Sequence, residues 1–109
     1  MEQNSVKSGK TTAIVSYLTI LGTIIALFMN LEPKNPFARF HIRQAFGIFV
    51  VFYILGALIS YFNTWLISMP FYLFFVVLWG YGFITALQGV TKPVPFVGRK
   101  FQEWFTFIN

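Results

Sequence analysis

The sequence predicts an all-α integral membrane protein with three transmembrane helices and a C-terminal amphipathic helix at the membrane surface. Composition points there first. Of 109 residues, 57% are hydrophobic and 10% charged, against about 25% charged in an average soluble domain. A soluble monomer of this size leaves roughly a third of its extended-chain surface wet, and 8 Lys/Arg plus 3 Asp/Glu cannot cover it. Charge placement points the same way: no Lys, Arg, Asp or Glu occurs from Thr11 to Leu31 or from Gln44 to Thr91. A spanning helix takes about 20 apolar residues, so the first block holds one span and the second holds two. Finally, runs such as Ile48 to Phe52 and Phe74 to Leu78 lack the alternation of membrane-barrel strands. In hydrocarbon the backbone must then bond to itself as helix. The same composition excludes an ordinary cytosolic domain, a disordered chain and an acidic tail. With no cysteine, disulfide frameworks, thiolate metal sites and Cys nucleophiles are excluded as well.

The breaks set the element limits, within a single membrane domain over 1–109. Helix 1 is expected over about 12–30 and ends where Glu32, Pro33, Lys34, Asn35 and Pro36 make a polar, proline-marked loop. A cleavable signal peptide is the alternative reading of helix 1, but no clear small-x-small site follows its apolar run. Asn35 then Pro36 reads as N-cap and first helical residue. Helix 2 starts there, with its basic opening turns from Phe37 to Arg43 at headgroup level and its span over about 44–62. Asn63-Thr64-Trp65 is the second turn. Ser68 and Pro70 repeat the capping logic, placing the third span over about 70–89. With three spans, Lys7 and Lys10 share one side with the Asn63 turn. Lys34, Arg39, Arg43, Lys92, Arg99 and Lys100 lie on the other. Six cations against two put the central loop and C-terminal tail in the cytoplasm, as in a bacterial inner-membrane protein. Lys7 and Lys10, close to helix 1, pull the other way.

Beyond Pro93 and Pro95, a helix over about 97–108 would gather Val97, Phe101, Trp104, Phe105 and Ile108 within an arc of about 100°. Arg99, Gln102, Glu103 and Thr106 fall opposite. Such a helix is too short to cross a bilayer. It either floats in the headgroup plane or packs its stripe across the protein's own bundle.

Candidate chemistry is sparse. His41 is the single histidine, so a His-rich metal site is excluded. The acids Glu2, Glu32 and Glu103 lie far apart and outside the spans, and no phosphate loop or nucleophile elbow occurs. No catalytic residue, cofactor or metal is therefore expected, and the chain is read as a non-enzyme. No ionisable Asp, Glu, Lys, Arg or His falls within a span core, where proton relays and ion-coupled carriers place such residues. Each span does hold a small-xxx-small pair that permits close helix approach: Gly22 and Ala26, Gly56 and Ser60, Gly82 and Ala86. Chance also produces such pairs.

The most distinctive stretch runs from Phe37 to Phe46. On a helix His41, Gln44 and Ala45 share a face, and Arg39 and Arg43 pair at i,i+4. Those two arginines repel each other near the positive end of a helix, a cost that a headgroup phosphate or a partner carboxylate would offset. The group Arg39, His41, Arg43 and Gln44 is thus a candidate docking or lipid-contacting corner. The blander alternative is positive-inside anchoring by the arginines and a loop tether from His41.

Phe40-His41-Ile42-Arg43-Gln44-Ala45 resembles the FHxxQA signature of small multi-span membrane proteins related to the import-channel subunit of the chloroplast inner-envelope translocon. Ala86, Gly89 and Pro95-Phe96-Val97-Gly98 extend the resemblance beyond the last span, so that it covers roughly 17–98. The plant subunits resemble a four-span arrangement, whereas three spans are read here. The segment from Gly89 to Lys92 lacks the acidic residue often found at that place. The resemblance implies an integral membrane protein of the import-component type.

The expected role is an accessory or scaffold subunit of a larger membrane complex, linked to protein translocation through that resemblance. A homo-oligomeric channel or carrier for a small solute is the competing class, and a lipid-organising protein a third. Expected partners are the bilayer and either other membrane subunits or further copies of the chain. Nucleic acid is not expected, because a net charge of +5 beside apolar spans is what membrane topology requires.

Overall fold

The computed structural model describes residues 3–31, 34–62, 64–94 and 97–108, with the backbone alone for residues 3–6. The loop residues Glu32 and Pro33, the turn residue Asn63, and Pro95 and Phe96 of the Pro-apolar-apolar-Gly turn lie outside the described residues. The described chain is all helical: α1 (Gln3–Ser16), α2 (Ile20–Met29), α3 (Pro36–Ile59), α4 (Trp65–Gln88) and α5 (Gly98–Trp104). Of these, α3 and α4 are long and apolar enough to cross a membrane. The molecule measures 47 × 22 × 22 Å, and its long axis is close to the roughly 40–45 Å of a bilayer with its headgroups.

The largest departure from expectation concerns residues 12–30. They form no continuous span, because the helix breaks between Ser16 and Ile20 and the chain turns back. The reversal is visible in its contacts. Ser8 on α1 accepts a hydrogen bond from Asn35 Nδ2 at 2.9 Å, while Asn30, at the end of α2, accepts one from the Asn35 backbone N–H at 2.9 Å. Residues 8 and 30 therefore lie at the same end of α3. A continuous helix would hold them about 33 Å apart.

Helix ends expose carbonyls and N–H groups that need partners, and several of those at the break are bonded by side chains or by the turn itself. The Ser16 hydroxyl donates to the Ala13 carbonyl at 2.6 Å and the Thr23 hydroxyl to the Ser16 carbonyl at 2.7 Å. The amides of Tyr17 and Leu18 donate to Ile14 and Val15, and Thr19 caps α2 by accepting from the Gly22 amide. Gly22 also lets the two helices touch, since a Cβ there would collide with the Val15 carbonyl oxygen.

α3 begins as predicted, with Asn35 accepting from the Ala38 N–H at 3.0 Å and Pro36 at the first position; it ends at Ile59 rather than near Phe62. α4 starts five residues before the predicted Pro70, capped by Thr64 instead of Ser68. Pro70 is accommodated within its second turn. Gly89 ends α4 in the left-handed conformation (φ 76°) that favours glycine, turning Val90 back toward the bundle. The predicted surface helix over 97–108 is shorter, closing at Trp104, because Phe105 to Ile108 fold into turns.

Packing is lopsided. The buried side chains concentrate at one end, contributed by α1, α2, the first half of α3, the second half of α4 and the C-terminal segment, and include Tyr17, Phe37, Ile42, Ile48, Leu78 and Phe101. The opposite ends of α3 and α4 project as a two-helix finger held by aromatic contacts, chiefly Phe52 on Phe75 at 4.1 Å and on Phe71 at 5.6 Å. Its turn is almost bare: Tyr61 is 85% exposed and Trp65 78%.

Candidate functional site

The first turns of α3 present His41 and Gln44 on one face, as the spacing predicts, and that face points inward. Both side chains are fully buried. The His41 ring lies edge-on to Phe37, Phe40 and Tyr17, and four hydrogen bonds organise the polar atoms. Gln44 Nε2 donates to the Tyr17 hydroxyl oxygen at 2.8 Å. The Tyr17 hydroxyl lies 2.7 Å from His41 Nδ1, and His41 Nε2 lies 2.8 Å from the Val90 carbonyl oxygen. The Val94 N–H donates to Gln44 Oε1 at 2.8 Å.

Donor counting assigns the protons. A carbonyl only accepts, so His41 Nε2 carries a hydrogen. The Tyr17 oxygen already accepts from Gln44, and its own hydrogen needs an acceptor, which Nδ1 of a neutral imidazole supplies. Every member is then satisfied. No buried side-chain nitrogen or oxygen lacks a partner among the described residues. Since an unpaired polar group away from water costs several kcal/mol, this closure makes a fully buried His–Gln–Tyr group tolerable.

The network joins three pieces of chain distant in sequence: the helix break, the opening of α3, and the loop after α4. Trp79 extends it by donating from Nε1 to the Tyr17 carbonyl at 2.6 Å. Gly82 provides the clearance, because a Cβ there would lie 2.6 Å from Tyr17 Cε1.

No family model matches the chain, and neither a curated protein nor a solved structure matches it.

The remaining predicted residues sort clearly. His41 and Gln44 offer nothing at the surface to a docking partner, because all their polar atoms are engaged internally. The histidine acts as the loop tether. Arg43 clamps the C-terminal segment, donating from Nε to the Ile108 carbonyl at 3.0 Å and from Nη2 to the Thr106 carbonyl at 3.4 Å, while Arg39 stays partly exposed. Most of the small residues serve internal contacts. Gly22 meets α1, Ala26 packs with Ala38, Ile42 and Ile108, Gly82 receives Tyr17, and Ala86 lies in the core. Gly56 makes only an ordinary 3.9 Å contact with Phe71, and Ser60 bonds to the Ala57 carbonyl in its own helix. Of the C-terminal stripe, Phe101 and Ile108 are buried, Val97 and Phe105 half-buried, and Trp104 exposed. The stripe thus packs mainly on the bundle, with Phe101 seated over Gly47 and Phe105 against Phe46 at 5.0 Å.

The sequence assigns no role to Tyr17. A single buried tyrosine in an apolar run gives no periodic signal, and its partners stand 24 and 27 positions away. Trp79 and the backbone of Val90 and Val94 were equally silent. No group of three or more His, Cys, Asp or Glu stands together among the described residues, and His41 has no free nitrogen with which to bind a metal.

Proposed function

We propose that the chain is a non-enzymatic integral membrane protein acting as a small scaffold subunit of a larger membrane assembly. One observation carries this reading: the buried side chains capable of chemistry are consumed in holding the fold, while large apolar side chains face outward. Tyr17, His41 and Gln44 close on one another and on the backbone. Leu21, Ile24, Ile25 and Phe28 on α2 are exposed, as are Ile54, Leu58, Leu66, Leu73, Val76 and Val77 on the finger. A water-soluble monomer rarely exposes so much contiguous apolar surface. In a bilayer the same surface is solvated by lipid or covered by neighbouring helices.

The FHxxQA-like segment directs the reading toward assemblies that move polypeptides across membranes, with the central loop and C-terminal segment in the cytoplasm of a bacterial-type inner membrane. A homo-oligomeric channel is less well supported. A pore walled by the outer faces of α2 and α4 would offer a permeating ion Leu, Ile, Val and Phe side chains in place of its hydration shell.

The test is extraction followed by purification from native membranes. The protein should resist alkaline carbonate and, in mild detergent, bring down unrelated membrane chains in fixed proportion. Release by carbonate would refute the membrane assignment. A symmetric homo-oligomer that conducts in liposomes would refute the scaffold role.

A further inference from the structure

We infer that residues 7–31 form a re-entrant helical hairpin, and that all eight Lys and Arg residues consequently make one basic collar seated on the anionic phospholipid headgroups of a single leaflet. This rests on the membrane reading above and replaces the three-span path with a two-span one.

The path of the chain comes first. Ser8 and Asn30 both bond to Asn35, so the segment between them leaves one end of α3 and returns to it. Its tip is Tyr17 to Thr19, level with Trp79 and Gly82 on α4. Trp79 lies about 14 Å from the Gln88 end of α4 and about 21 Å from the Trp65 end, at 1.5 Å per residue. The tip therefore stops well short of the far side. A helix break in hydrocarbon needs its backbone groups bonded within the protein, and here Ser16, Thr19, Thr23 and Trp79 bond the Ala13 carbonyl, the Gly22 amide, the Ser16 carbonyl and the Tyr17 carbonyl. The outward face of α2, with Leu21, Ile24, Ile25 and Phe28 exposed, suits acyl chains.

This path changes the charge distribution. Lys7 and Lys10 flank Ser8 and so join Lys34 beside Asn35. Arg39 and Arg43 ride the first two turns of α3. Lys92 sits between Val90 and Val94, which bond to His41 and Gln44, and Arg99 and Lys100 lie on the short helix whose Phe101 covers Gly47. The division of six cations against two becomes eight against none. The opposing pull of Lys7 and Lys10 disappears. At the far end the turn carries no charge, and exposed Tyr61 and Trp65 are the kind of aromatic side chain that settles at a membrane interface. Between collar and turn, the uncharged part of α3 from Gln44 to Ile59 rises about 24 Å, and the turn beyond it brings the distance near the roughly 30 Å hydrocarbon thickness. Cations ringing the spans at one level, with Trp104 exposed beside them, meet the headgroup layer as a set, and that layer is negatively charged on the cytoplasmic side.

The chain has no cysteine, so single-cysteine variants report sidedness directly. In sealed vesicles, an impermeant maleimide should label Lys7→Cys and Lys100→Cys from the same side and Thr64→Cys only from the other. Lys7→Cys labelling together with Thr64→Cys, in membranes that retain the protein after carbonate, would overturn the hairpin and leave the membrane reading standing. Release by carbonate would overturn both. In vesicles of mixed phosphatidylglycerol and phosphatidylcholine, spin-labelled phosphatidylglycerol should be enriched several-fold in the immobilised lipid shell. That enrichment should fall with added salt and in the combined variant Arg39→Gln, Arg99→Gln, Lys100→Gln. Equal recruitment of the two lipids would overturn the collar.

Discussion

Replacing Tyr17 with Phe removes a single oxygen, and that oxygen serves two buried partners. Without it the Gln44 Nε2 hydrogen loses its acceptor at 2.8 Å and His41 Nδ1 loses the hydroxyl at 2.7 Å. Neither can turn to water, since both residues are fully buried. A buried polar group left unpaired costs about 1–3 kcal/mol, so two of them predict a loss of about 2–6 kcal/mol for Tyr17→Phe. Single hydrogen bonds inside membrane proteins average only about 0.6 kcal/mol, and the excess over that value is the signature of shared loss. Unfolding by SDS titration from a mild detergent reads it, with Tyr72→Phe as an exposed control expected within about 0.5 kcal/mol of the parent. The double variant Tyr17→Phe, Gln44→Met should lose less than the sum of the two single changes, because both break the same bond. A Tyr17→Phe protein as stable as the control would refute the network as a stabilising element.

Two further outcomes follow from the same geometry. Gly82→Ala puts a methyl 2.6 Å from the Tyr17 ring, which is held by edge contacts with His41 and Phe83 and by the Gln44 hydrogen bond to its hydroxyl. Overpacking of that kind should cost about 1–3 kcal/mol, whereas Gly56→Ala, with its nearest atom at 3.9 Å, should be neutral or slightly stabilising in the same titration. His41→Ala and Gln44→Ala should each lower membrane accumulation on immunoblots more than Lys34→Ala does, because Lys34 is exposed. Equal levels for the three variants would count against a special role for the pair.

The parts legible in advance were those written in local pattern. The charge-free blocks marked α3 and α4, Asn35-Pro36 marked the start of α3, and i+3 spacing placed His41 and Gln44 on one face. The break in the first apolar run was not legible, because Ser16, Tyr17 and Thr19 also occur in continuous membrane helices and no Gly or Pro interrupts the run there. Its stability comes from Thr23 and Trp79, the second of which lies 62 positions from the carbonyl it caps. The small-residue pairs were visible but their partners were not. Gly82 reads as a notch for any helix, and only the folded chain fills it with the Tyr17 ring.

Hydropathy and charge order are properties of the linear chain, so they suffice to specify helical segments suited to lipid and the cationic character of their flanks. They do not specify whether an apolar run crosses or turns back. That choice depends on whether the orphaned backbone groups of a turn find donors and acceptors on other helices. Here Asn35 gathers Ser8 and Asn30, and Tyr17 gathers Trp79, His41 and Gln44. The tertiary fold thus turns a segment long enough to span back on itself, so that Ser8 and Asn30 meet at Asn35.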